Sequence, residues 1–114
     1  MGDQFSLPSA AAAGFQNAKD YDAHRPSYPP EAVQSLLEHL QVADIANANV
    51  LEIAAGTGKF TEALASRYEN YNIIAVEPHA AMRTRLSAKE LRNVTTLDGQ
   101  YVVPLLQATV LLAW

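Results

Sequence analysis

The chain has no cysteine, which excludes a disulfide framework, thiolate chemistry and a zinc site of the cysteine type. Its histidines, His24, His39 and His79, are scattered without metal-ligand spacing, so no metal is expected. No apolar run approaches the ~20 residues that cross a bilayer. Residues 1–20 lack both a basic leader and a long apolar core, as well as any arginine, and so read neither as a secretory signal nor as a mitochondrial presequence. Basic residues are in the minority. Eight Lys and Arg against 12 Asp and Glu give a net charge of -4, the opposite of the basic face that a phosphate backbone attracts. A cytoplasmic protein of one domain, with no nucleic-acid or membrane partner, is the expectation for these 114 residues.

What is present is concentrated in residues 50–61, VLEIAAGTGKFT. Val50, Leu51 and Ile53 form a short aliphatic run of the kind that makes a strand buried on both faces. Gly56 and Gly58 follow at once, and glycine lets the backbone reach positive φ and a ligand approach without a Cβ in the way. From Lys59 to Tyr68 the pattern turns helical, with Phe60, Leu64 and Tyr68 on one stripe and Thr57 or Thr61 available as a cap. Strand, glycine turn and helix make the first half of a βαβ unit, whose free N–H groups suit a polar or anionic ligand group.

A second strand, Ile73 to Val76, ends in Glu77 and is stopped by Pro78. Glu77 lies 19 positions after Gly58, where nucleoside-binding sheets place a carboxylate that accepts the ribose hydroxyls. A solvated strand-end acid or a helix cap is the plainer reading of the same residue. The dinucleotide fingerprint wants a third small residue where this chain has Thr61, which disfavours NAD without excluding it. A P-loop is rejected, because Ile53 and Phe60 occupy its first glycine and its Ser or Thr. Glu52, just before the turn, would repel a pyrophosphate and suits a cationic or ammonium-bearing ligand.

These residues resemble motif I of the class I S-adenosylmethionine-dependent methyltransferases, E/D-x-G-x-G-x-G, with Glu52, Ala54, Gly56 and Gly58 on the marked positions. Ala54 replaces the first glycine. IIAVEPHAAM resembles the next motif, which implies that Glu77 meets the ribose while Pro78, His79 and Met82 line the adenine side. VTTLDG resembles the third strand, with Asp98 implied at the adenine amino group. Upstream, YDAHRPSYPPEAV resembles the lead-in of the small-molecule methyltransferase branch, which folds over the cofactor and is matched at Tyr21, Arg25 and Tyr28. The resemblance implies S-adenosyl-L-methionine as cofactor and methyl transfer to a small-molecule acceptor. No catalytic base is assigned, and His79 is a weak candidate for one.

The fold implied is α/β, a Rossmann-like parallel sheet with flanking helices, truncated to three or four strands. Residues 1–20 are expected to be a disordered lead, 21–99 the N-terminal half of the methyltransferase-like domain, and 100–114 a divergent apolar tail. One helix is expected from about Glu31 to Gln41, with Val33, Leu36, Leu37 and Leu40 inward, and another from Ala80 to Leu91, with Met82 and Leu86 inward. Arg83, Arg85, Lys89 and Arg92 read as a solvated basic face. The charge-free tail suits either a fourth strand beside the first or a short helix after Pro104, and it offers a surface for self-association. An NAD-dependent oxidoreductase and a non-catalytic methyltransferase-like module are the competing functional readings.

Overall fold

A computed structural model describes residues 7–24, 27–99 and 110–113. In chain order the elements are α1 (Leu7–His24), α2 (Pro30–His39), β1 (Asn49–Ile53), α3 (Lys59–Ala65), β2 (Asn72–Val76), α4 (Ala80–Ala88), β3 (Val94–Leu97) and β4 (Val110–Ala113). The strands form one sheet in the order β3-β2-β1-β4, and every pairing is parallel. The expected α/β sheet with flanking helices is therefore present with four strands. Of the two arrangements open to the tail, residues 110–113 take the strand beside β1.

Alternation along β1 and β2 separates two apolar surfaces. Val50 and Ile73 face α2 and α3, where Val33, Leu37, Phe60 and Leu64 complete the main core. Ala75 packs with Leu86 of α4 on the same side. Leu51 and Val76 point to the opposite face with Ile53, Ile74 and Leu97. Each fully buried aliphatic side chain contributes roughly 1.5–3 kcal/mol, so this core sets the sheet before any ligand is considered.

The helix ends follow local chemistry. Pro30 opens α2, where its missing N–H costs nothing, and Glu31 lies in the first turn. Val33 and Leu37 are buried as expected, while Leu36 and Leu40 are half-buried. α3 is shorter than its apolar pattern suggests. It stops at Ala65, so Tyr68 leaves the expected stripe, is 71 % exposed, and instead takes the Arg67 guanidinium over its ring at 5.4 Å. α4 begins after His79, whose side chain accepts from the Met82 N–H, and ends at Ala88, with Leu86 buried and Met82 half-buried.

Two expectations are corrected. Residues 7–20 are not a disordered lead but most of α1, which packs along α4: Ala18 is buried, and a Cβ on Gly14 would lie 3.5 Å from Ala81. The anticipated boundary at 20/21 falls inside this helix. Nor is the basic cluster of α4 a solvated face, since Arg83 donates to the Glu77 and Pro78 carbonyls while Arg85 and Lys89 donate to Asp22.

At the far end of the sheet Arg67 grips Glu69 with two hydrogen bonds of 2.8 and 2.7 Å, and the Asp44 N–H adds a third at 3.0 Å. Burial favours the neutral Glu69 acid, but these donors outweigh it and pull its pKa down to about 2. Beside it the buried Tyr71 hydroxyl donates to the Val42 carbonyl at 2.6 Å.

Candidate functional site: the carboxyl edge of the sheet

Strand register builds the site. Ile53 pairs with Val76 and Val76 with Leu97, so Ala54, Glu77 and Asp98 leave the sheet side by side. The Ala55 N–H bonds the Val76 carbonyl at 3.0 Å and the Glu77 N–H the Leu97 carbonyl at 2.9 Å, which extends both ladders past the strands. Such an edge at the carboxyl ends of parallel strands is where open α/β sheets take their ligands.

The turn after β1 holds three left-handed positions in five residues: Ala54 (φ 61°), Gly56 (φ 64°) and Gly58 (φ 89°). Ala54 carries a Cβ where glycine is the unstrained choice, at a cost of roughly 1–2 kcal/mol. The two glycines serve different ends. A Cβ on Gly56 would meet nothing within 4 Å, so the backbone there stands open. A Cβ on Gly58 would lie 2.3 Å from Leu86 Cδ1, so the buried Leu86 side chain would have to shift to admit one, and the φ of 89° already favours glycine there.

Glu52 is fully buried and accepts the Thr61 hydroxyl at 2.5 Å. Thr61 therefore is not a helix cap but the donor that satisfies the motif carboxylate, and the cap position of α3 falls to Gly58. Thr57, the other cap candidate, donates instead to Asp22 at 2.9 Å. Glu77 is 8 % exposed. Its Oε1 accepts from the Gly56 N–H at 2.7 Å and its Oε2 from the His79 N–H at 2.8 Å. Both oxygens keep a further lone pair for a ligand hydroxyl. Glu77 thus bonds the Gly56 N–H directly, and Glu52 lines the same small cavity as Gly56.

A small cavity of about 100 Å³ adjoins the turn, lined by Tyr28, Glu52, Ala54, Gly56, Lys59 and Phe60. Tyr28 stands edge-on to Phe60, with ring centroids 5.1 Å apart, and forms the wall contributed by the lead-in. A larger groove of about 770 Å³ on the helical side shares Tyr28 and Lys59 and adds Arg67, Arg85 and Lys89. Those cations already face carboxylates, Arg67 on Glu69 and the other three on Asp22, so the turn is the better ligand site despite its smaller volume.

The sequence-predicted residues divide accordingly. Glu52, Ala54, Gly56, Gly58 and Glu77 are gathered at the turn. Pro78 and His79 are exposed at the start of α4, and Asp98 is exposed at the end of β3 on the same edge. Tyr21 is 46 % exposed on α1, and Arg25 lies outside the described residues. Sequence reasoning missed Asp22, whose carboxylate binds Thr57, Arg85 and Lys89. An acid one residue after Tyr21 carried no signal beyond its charge.

No family model matches the chain. It is 38 % identical over 85 residues to an uncharacterised methyltransferase of Mycobacterium tuberculosis, a match that covers 75 % of this chain and 32 % of that protein. An uncharacterised methyltransferase of Mycobacterium bovis matches to the same extent. Among solved structures the fold is similar to that of EvdMO1, with a TM-score of 0.58 at 16 % identity over 98 % of this chain and 30 % of that one. The plantazolicin methyltransferase BpumL is similar at a TM-score of 0.50 and 11 % identity, over 82 % of this chain and 35 % of that one. The chain is thus similar in sequence to proteins named as methyltransferases and shares the fold of EvdMO1 and BpumL, and it spans about a third of the length of the curated relatives it matches.

Proposed function

We propose that this chain supplies the S-adenosyl-L-methionine-binding half of a methyltransferase that acts on a small-molecule acceptor. The observation that carries the reading is the open Gly56 turn, whose N–H is held by Glu77 and whose small cavity is lined by Glu52. Glu52 and the neighbouring cavity suit the ammonium-bearing amino-acid end, and Glu77 suits the ribose hydroxyls. Pro78 and Asp98 flank the base, with Tyr28 and, from the lead-in, Tyr21 and Arg25 as covering groups. Gly58 acts indirectly, by letting α4 seat against the turn.

When bound, the sulfonium brings an already activated methyl group. The protein's task is to orient it and exclude water, a proximity effect of at most ~7–11 kcal/mol. The buried Glu52 carboxylate disfavours a pyrophosphate and so the NAD-dependent reading. No described helix is long and apolar enough to cross a membrane. β4 lies at an edge of the described sheet, and self-association through it is part of the proposal, checked by sedimentation equilibrium.

The test is calorimetric titration of the chain with S-adenosylhomocysteine, repeated with Glu77→Gln after its fold is verified by circular dichroism. Saturable heat from the wild type and about tenfold weaker binding by the variant support the reading. Absence of wild-type binding, or equal affinity in both, overturns it.

A further inference from the structure

Asp22 lies in the last turns of α1 and is 2 % exposed, yet its partners all come from distant parts of the chain. Oδ1 accepts the Thr57 hydroxyl and the Lys89 ammonium, each at 2.9 Å; Oδ2 accepts the Arg85 Nε–H at 2.9 Å; the Lys59 ammonium stands 4.0 Å away. Thr57 sits between the two glycines of the cofactor turn, Lys59 opens α3, and Arg85 and Lys89 belong to α4 and its cap. Lys89 also pairs with Glu62 of α3. One buried carboxylate therefore ties the N-terminal helix to the turn and to both helices behind it. Burial opposes its charge, but the Lys89, Thr57 and Arg85 hydrogen bonds prevail and hold the carboxyl below its usual range.

The Gly56 N–H is fixed from one side by Glu77. The adjoining Thr57 is held by Asp22, and a Cβ added at Gly56 would meet nothing within 4 Å, so hydrogen bonds rather than side-chain packing hold this turn. We propose that Asp22 is a positioning residue for cofactor binding: through Thr57 it sets the conformation of the Gly56 turn and makes that conformation depend on the docking of α1. This rests on the functional reading above, and Asp22 itself touches no cofactor. Helix docking supplies Asp22, Asp22 orders Thr57, and the ordered turn presents the Gly56 backbone.

The test compares wild type, Asp22→Ala, Asp22→Asn and Thr57→Val in the full chain by S-adenosylhomocysteine calorimetry and amide hydrogen exchange. Asp22→Ala and Thr57→Val are each expected to weaken binding about tenfold, with the double variant no weaker than the worse single, as one shared hydrogen bond requires. Asp22→Asn, which keeps an acceptor for the Thr57 hydroxyl, is expected to restore most of the affinity. In Asp22→Ala and Thr57→Val the amides of residues 55–58 are expected to exchange about tenfold faster, with those of β2 unchanged. A purely structural Asp22 would lower the melting temperature and leave affinity and turn exchange at wild-type values, and that result overturns the proposal. If Asp22→Ala does not fold, Thr57→Val decides alone. If the wild type binds no S-adenosylhomocysteine, the functional reading falls while turn exchange still decides the role of Asp22.

Discussion

The Glu77 carboxylate accepts the Gly56 N–H at 2.7 Å, joining the acid that leaves β2 to the turn that leaves β1. Glu77 is consequently a structural clamp as well as a ligand candidate. Glu77→Ala frees both the Gly56 and the His79 N–H groups and is expected to destabilise the fold by about 1–3 kcal/mol, read as a lower urea midpoint without any ligand. A midpoint equal to wild type would show that the clamp carries no weight.

Ala54 occupies a left-handed conformation at φ 61°. Ala54→Gly removes the Cβ strain but adds chain entropy to the unfolded state, so a net gain of about 0.5–1 kcal/mol is expected in urea denaturation. Loss of stability would mean that the Ala54 methyl contributes more by packing than it costs by strain.

Gly58 and Gly56 are expected to differ sharply on substitution. Gly58→Ala drives a Cβ to within 2.3 Å of Leu86 at a φ of 89°, and a destabilisation of roughly 2–4 kcal/mol follows from clash and strain together. Gly56→Ala meets no atom within 4 Å and bears only the strain, about 1 kcal/mol. Thermal melts of the two variants check the order, and equal losses would contradict the division of roles between the glycines.

Glu69 makes the fold acid-sensitive. Its folded pKa of about 2 lies below the ordinary 4.5, so its contribution is complete above pH 4.5 and is lost as pH falls from 4.5 toward 2. Linkage allows at most about 3 kcal/mol. Urea midpoints of wild type should fall across that window, whereas Glu69→Gln should start lower and lose less. Parallel pH profiles for the two proteins would remove Glu69 from the account.

The glycine turn, both strands around it and Glu77 were legible because each rests on a local rule: aliphatic runs make buried strands, and glycines stand where φ must be positive. The order of β1, α3 and β2 follows from these local patterns. What escaped depends on contacts between distant segments. Thr57 and Thr61 have the chemistry of helix caps, yet Asp22 and Glu52, 35 and 9 residues away, claim their hydroxyls. Tyr68 continues the apolar period of α3, but the chain turns at Ser66 and Asn70 before the period can act. The α4 cations look solvated until α1, which itself has little apolar periodicity, brings a buried acid to them.

The pairing of Ile53, Val76 and Leu97 in one row has a consequence for how such a chain can vary. A slip of one residue in β2 would carry Glu77 about 3.3 Å along the strand and turn its side chain toward the opposite face. Insertions in the 66–71 connection leave that alignment intact, whereas a single residue added inside β2 dismantles it. Length changes should accumulate at the amino ends of these strands and be purged from their interiors.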